Sequence, residues 1–153
     1  MRADYLEVGG AYEFLGTGFT ALNEEPNAQT TTKRYINDAA STKRVTGYEA
    51  VNPFTSDYIK SEAAIAFMAD IAEMRRTGAD TETDYVRVDL DDPTGTPGEF
   101  AARKVRVSVE VSSISDTDGE YTLEGNLNEI GDVVAGTFDT AAKSFTPTVV
   151  VGP

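Results

Sequence analysis

Residues 103–128 read RKVRVSVEVSSISDTDGEYTLEGNLN, which is the clearest alternation of apolar and polar side chains in the chain. Successive side chains of a strand point to opposite faces, so the valines at 105–111 share one face and the polar residues share the other. Asp118-Gly119 is typical of a two-residue hairpin turn. The stretch therefore predicts two long antiparallel strands with one apolar face and one polar face.

Extended segments are also predicted on both sides of this hairpin. Residues 11–22 are apolar with a bend at Gly16 or Gly18, and residues 86–90, 133–138 and 144–151 have the composition of strands. Residues 30–36 and 42–49 are rich in β-branched and aromatic side chains around a polar turn. These last two segments predict a long hairpin arm, at about residues 23–50.

One helix is expected at about residues 61–77. Ser61 suits an N-cap, and Gly78 suits a C-terminal stop. Between them the apolar side chains fall at helical spacing, and they are Ala64, Phe67, Met68, Ile71 and Met74. The predicted fold is mainly β: an antiparallel β-sandwich or barrel with one flanking helix and the arm, in a single domain spanning residues 1–153.

Composition removes most catalytic chemistry. The chain has no cysteine, histidine or tryptophan, so no nucleophile–histidine pair and no imidazole-bound metal is available. We therefore expect a non-enzymatic protein without a cofactor or metal. Paired carboxylates acting as a glycosidase are the remaining catalytic alternative. Asp116–Glu120 has half the pattern of a calcium loop, but a plain hairpin turn fits it better.

The net charge of −13 disfavours nucleic-acid binding, because such binding needs a basic face. No secretory signal or membrane-spanning run is predicted, so we expect no membrane partner. Charge is unevenly placed: residues 30–48 hold four basic side chains against one acidic, whereas residues 79–99 hold seven acidic against one basic. The basic side chains of the arm are Lys33, Arg34, Lys43 and Arg44. They are candidates for contacts with an acidic surface of a second copy.

Several segments resemble the tail tube (major tail) proteins of long-tailed bacteriophages and prophages. The resemblance is carried by ALNEEPNAQT at 21–30, KRYIND at 33–38, TGYE at 46–49 and ARKVRV at 102–107, with further segments at 77–86 and 125–138. It covers nearly the whole chain, as an order of segments and not as a catalytic signature.

The resemblance implies a structural virion protein that is assembled in the bacterial cytoplasm and forms hexameric rings stacked into a hollow tail tube. Inner sheets of the subunits join into one barrel around a channel, and an arm reaches a neighbouring subunit or ring. The implied partners are copies of itself, a tape-measure protein, a tail terminator and baseplate or distal tail proteins. Double-stranded DNA passes through the tube to the host without specific binding.

Candidates for the channel lining are the polar side chains of the hairpin at 103–128. They are Ser108, Glu110, Ser112, Thr122, Glu124 and Asn126. Arg106 on the same face is expected near the rim or paired with a carboxylate. The alternative function is a β-sandwich binding module of a baseplate or host-recognition apparatus. Such modules usually expose aromatic side chains on loops, whereas the loops here hold mostly Asp, Glu, Thr and Gly.

Overall fold

Nine strands form one antiparallel sheet in the computed structural model, which describes residues 1–37 and 39–148. In chain order they are β1 (Arg2–Val8), β2 (Ala11–Phe14), β3 (Phe19–Leu22), β6 (Val51–Asp57), β7 (Glu82–Pro93), β8 (Glu99–Thr117), β9 (Glu120–Glu129), β10 (Val134–Asp139) and β11 (Ser144–Pro147). The main strand order is β2-β1-β7-β8-β9-β6-β3. The mainly antiparallel β fold with one helix and an arm is confirmed.

Strand β8 holds the sheet together because it is long enough to pair with different strands at its two ends. Its first part pairs with β10 over residues 99–104, and its second part pairs with β9 over residues 107–117. β11 extends the sheet beyond β10. The sheet therefore curls, with β10 and β11 on one branch and β9, β6 and β3 on the other.

The sheet buries apolar side chains on both faces. On one face Leu6, Tyr85, Val107 and Leu127 pack with the single α-helix, α1 (Ala63–Glu73). On the opposite face a second core gathers where the sheet curls. It consists of Ala3, Tyr5, Val86, Val88, Ala102 and Phe138. Burial on both faces explains why β1 and β7 lack a simple alternation of apolar and polar residues.

The helix is shorter than the predicted 61–77. It begins at Ala63 after Glu62, which makes no side-chain cap, and it ends at Glu73. Arg75 takes a left-handed backbone conformation with φ of 53°, which stops the helix before Gly78. A 3₁₀ turn then spans Gly78–Thr81. The helix therefore lacks the predicted last turn. Met74 was predicted to belong to the apolar stripe, but it is 64% exposed and lies outside that stripe.

The other predicted strand boundaries differ less from those in the structure. The bend expected at Gly16 or Gly18 separates β2 from β3, and Gly18 has a φ of 87°. The last strand ends at Pro147, not at 151 as predicted, and residues 149–151 lie outside the described residues. The sequence had not predicted β1 or β6, although both lie inside the sheet.

The arm consists of β4 (Ala28–Lys33) and β5 (Thr42–Tyr48), which pair only with each other among the described residues. It continues the β3–β6 pair, because a backbone bridge joins Glu25 to Val51 between the two pairings. The whole hairpin therefore runs from Phe19 to Asp57. Its inner half belongs to the sheet, and its outer half projects from it.

Candidate functional site

The six predicted lining residues lie on the β8–β9 hairpin and none of them is buried. Glu110, Ser112 and Glu124 are exposed, and Ser108, Thr122 and Asn126 are half-buried. Glu110 stands opposite Asn126, and its carboxylate accepts hydrogen bonds from the side-chain amides of Asn126 (3.4 Å) and Asn128 (3.0 Å). The position of these residues relative to a channel stays a prediction.

A β-bulge interrupts this polar face at Ser112. The register shifts between Val111 and Ser113, so that Ser113 stands opposite Glu124. The Ser112 hydroxyl donates a hydrogen bond to the Glu124 carbonyl at 3.0 Å. Gly125 is required here, since a Cβ atom on it would lie 1.9 Å from the Glu110 carbonyl oxygen. The bulge bends the hairpin within the sheet, since beyond it β9 still pairs with β6 as far as Thr122.

The polar face continues onto β7 and β1, where sequence analysis had not placed it. Arg106 lies 3.5 Å from the Asp84 carboxylate, so its expected pairing with a carboxylate is observed. The pKa of Glu7 is raised, first because burial desolvates its carboxylate. A hydrogen bond with Asp84 and the negative charge of Asp84 raise this pKa further. Glu82 stands opposite Ser108 on the same face. The surface therefore carries acidic side chains on four strands, β1, β7, β8 and β9.

The arm is exposed throughout: every described residue from 28 to 48 is exposed except Gly47, which is half-buried. Lys33 stands opposite Thr42 and Arg44 opposite Thr31, which places Lys33 and Arg44 on one face of the arm. Lys43 stands opposite Thr32 and points to the other face. Arg34 follows directly after β4. The structure therefore gathers the four basic residues at the outer end of the arm but distributes them over both faces.

Apolar side chains accompany these charges. Ile36 is fully exposed, and Val45 is 56% exposed. A two-stranded hairpin is marginally stable by itself in water, and this one covers no core. The arm thus exposes apolar and basic side chains together.

A buried polar cluster fixes the inner end of the arm. Arg87 is only 5% exposed, and its guanidinium contacts Asp4 (3.4 Å), Asn52 (3.2 Å), the Tyr85 hydroxyl (2.9 Å) and the Glu24 carboxylate. Glu24 lies in the segment that leads from β3 to the arm.

The remaining members complete the hydrogen bonds of this cluster. The Tyr85 hydroxyl donates to Asp4 at 2.6 Å, and Arg103 lies 3.3 Å from Glu24. Burial, helped by the Asp4 carboxylate, strongly raises the pKa of Tyr85, which keeps the phenol neutral. A buried charge is tolerated when it is paired in this way. Sequence analysis missed the cluster because its members come from distant parts of the chain.

No metal or membrane feature was found in the part of the chain that the structure describes. Residues 1–37 and 39–148 contain no group of three acidic side chains arranged as metal ligands. At Asp116–Glu120 the Asp116 carboxylate accepts a hydrogen bond from the Gly119 amide at 2.9 Å, as in a hairpin turn. Within the same ranges, no helix is long and apolar enough to cross a membrane.

Comparison with known proteins gives a likeness in structure alone. No family model matches the chain, and no curated protein is similar in sequence. Among solved structures, the chain is similar to one from the tail of an empty GTA particle, determined with helical refinement and C6 symmetry. The TM-score is 0.63 at 12% identity, and the match covers 94% of each chain. The protein therefore has the fold of a chain found in that tail.

Proposed function

We propose that this protein is the structural subunit of a tail tube, which assembles into hexameric rings stacked around a continuous channel. The observation that carries the proposal is the fold shared with a chain of a C6-symmetric tail over 94% of both chains. That likeness covers nearly the whole described body, which favours a role in building a tail over an isolated binding activity.

Two surfaces of this chain support assembly. The arm extends beyond the body with its apolar and basic side chains exposed. Among the described residues, β2, β3 and β11 each pair with another strand on one side only, so their outer edges offer backbone groups for pairing with a neighbour. A closed ring satisfies such edges by turning each one into an interface.

The acidic face of β1, β7, β8 and β9 suits the inside of a channel. Glu110 and Glu124 are exposed there, and Ser113 and Ser115 continue the polar surface beyond the bulge. Carboxylates that line a tube repel phosphates, so a duplex passes without adhering to the wall. On this proposal the protein belongs to a virion or a similar particle, with a tape-measure protein, a terminator and distal tail proteins as its partners.

Cryo-electron microscopy of purified protein tests the proposal. We expect rings or hollow tubes with six subunits per turn and with Glu110 and Glu124 facing the channel. Tubes that place these two residues on the outside would contradict the lining assignment but not the assembly. A protein that binds a surface receptor and never polymerises would instead favour the binding-module alternative.

A further inference from the structure

The outer end of the arm lies far from its own body. Lys33, the last residue of β4, lies eleven positions after Leu22, the last residue of β3. At roughly 3.3 Å per residue this segment extends up to about 35 Å, whereas a domain of this size has a radius of gyration of about 15 Å. The outer end is therefore placed to contact another molecule.

A groove lies at the inner end of the arm, where the arm joins the sheet. This root groove encloses about 490 Å³ and is lined in part by Tyr48, Val133, Asp132, Glu129 and Pro26. Tyr48 is 66% exposed and Val133 is 50% exposed. The groove also includes Glu24 and Arg103, so its lining contains three carboxylates and one guanidinium.

The two ends of the arm are complementary in chemistry. The outer end presents Ile36 between basic residues, and the root groove presents apolar walls beside carboxylates. Two of the carboxylates already have partners within the chain. Glu24 pairs with Arg87 and Arg103, and Glu129 accepts a hydrogen bond from Asn52. Asp132 is exposed and lines the groove next to Val133.

We propose that the outer end of the arm of one copy binds in the root groove of a second copy, with Ile36 against Tyr48 and Val133 and with the basic side chains beside Asp132. The inference rests on the proposed self-assembly and identifies the receiving surface. The acidic residues at 89–92 are the competing acceptor. The groove beside Asp89 and Asp91 has an apolar lining of Met1 and alanines, but it also contains three arginines (Arg2, Arg87 and Arg103), which disfavour a basic ligand. Because donor and acceptor differ, a bound pair leaves one outer end and one root groove unused. Further copies can therefore add to the pair, either until a ring closes or from one ring to the next.

Site-specific crosslinking tests this contact directly, because the chain contains no cysteine. Full-length Ile36→Cys protein is mixed with full-length Val133→Cys protein and treated with a short thiol-specific crosslinker. We expect heterodimers that carry one copy of each variant. The control replaces Val133→Cys by Ile114→Cys, another exposed apolar position on a different part of the sheet. Equal crosslinking to positions 133 and 114 would overturn the proposal.

A charge exchange gives an independent measurement. Lys43→Glu and Asp132→Lys should each raise the critical concentration for assembly about tenfold, and the double variant should return it to near that of the unmodified protein. Asp92→Lys makes the same charge change at the competing acceptor and should neither weaken assembly nor rescue Lys43→Glu. Rescue by Asp92→Lys would overturn the proposal.

The outcomes separate this inference from the proposed function. Rings that form without the 36–133 crosslink would reject the root groove as acceptor and leave the tail tube subunit in place. Protein that stays monomeric at every concentration and gives no crosslink would contradict both.

Discussion

Replacing Arg87 by methionine should destabilise the subunit more than any other single loss of charge in it. Arg87 is 5% exposed and contacts four different side chains, two of which are carboxylates. Methionine retains much of the aliphatic volume, so the substitution mainly removes the positive charge and its hydrogen bonds. The Asp4 carboxylate, which is 8% exposed, then loses its buried guanidinium partner.

The expected loss follows from the cost of leaving one member of a buried ion pair unpaired, about 3–5 kcal/mol. For a domain of this length each kcal/mol lowers Tm by roughly 2–4 °C. We therefore expect Arg87→Met to lower Tm by about 6–20 °C. That is a large share of a total stability of the order of 5–15 kcal/mol.

Thermal and urea unfolding of the purified variants measure this loss. Arg103→Met is the matched control, because Arg103 is 51% exposed and pairs with the same Glu24 carboxylate at 3.3 Å. An exposed ion pair contributes less than about 1 kcal/mol, so the control should change Tm by only a few degrees. Equal effects of the two substitutions would refute the role assigned to the buried cluster.

Three further predictions concern the bulge, the acidic face and the arm. Gly125→Ala should lower the free energy of unfolding by at least about 1–3 kcal/mol in urea, because its Cβ collides with the Glu110 carbonyl; no loss would show that the bulge relaxes freely. Glu7→Gln should raise Tm at pH 7 more than at pH 4. Because the pKa of Glu7 is raised in the folded state, the folded protein loses stability as pH rises through that pKa. The glutamine amide does not titrate, so the variant avoids this loss. An equal change at both pH values would contradict this explanation. Ile36→Asp should leave Tm unchanged, because the side chain is fully exposed, and should reduce assembly in sedimentation; a lower Tm would mean that the arm packs on its own body.

Strict alternation made the β8–β9 hairpin predictable from sequence. One face of each strand is buried there and the other is exposed to solvent, so the two-residue period of the sequence matches the alternation of burial. The Asp118-Gly119 turn is observed with positive φ at both residues, as the sequence predicts for a tight hairpin turn. Local sequence determines these features, so no knowledge of distant contacts was needed.

Strands β1 and β6 were not predicted, because their buried polar residues break the expected pattern. In β1 Asp4 is buried next to Tyr5 and Leu6, and in β6 the buried positions include Asn52 and Ser56. Asp4 and Asn52 are buried because they contact Arg87, which lies 83 and 35 residues away in sequence. Single-sequence patterns do not contain such pairings, and this is why the buried cluster was also missed.

The candidate surfaces were predictable as sets of residue types but not as geometry. The basic residues of the arm were identified from charge placement alone, whereas their distribution over two faces depends on the β4–β5 register. The bulge near Ser112, which moves Ser113 opposite Glu124, left no clear signal in the sequence beyond the glycine at 125.

Electron microscopy of the purified full-length protein over a range of concentrations tests the central claim most directly. The account predicts rings and hollow tubes with sixfold symmetry, in which each arm reaches a neighbouring copy. A monodisperse particle of 16.4 kDa at every concentration, with its arm unpaired, would contradict it.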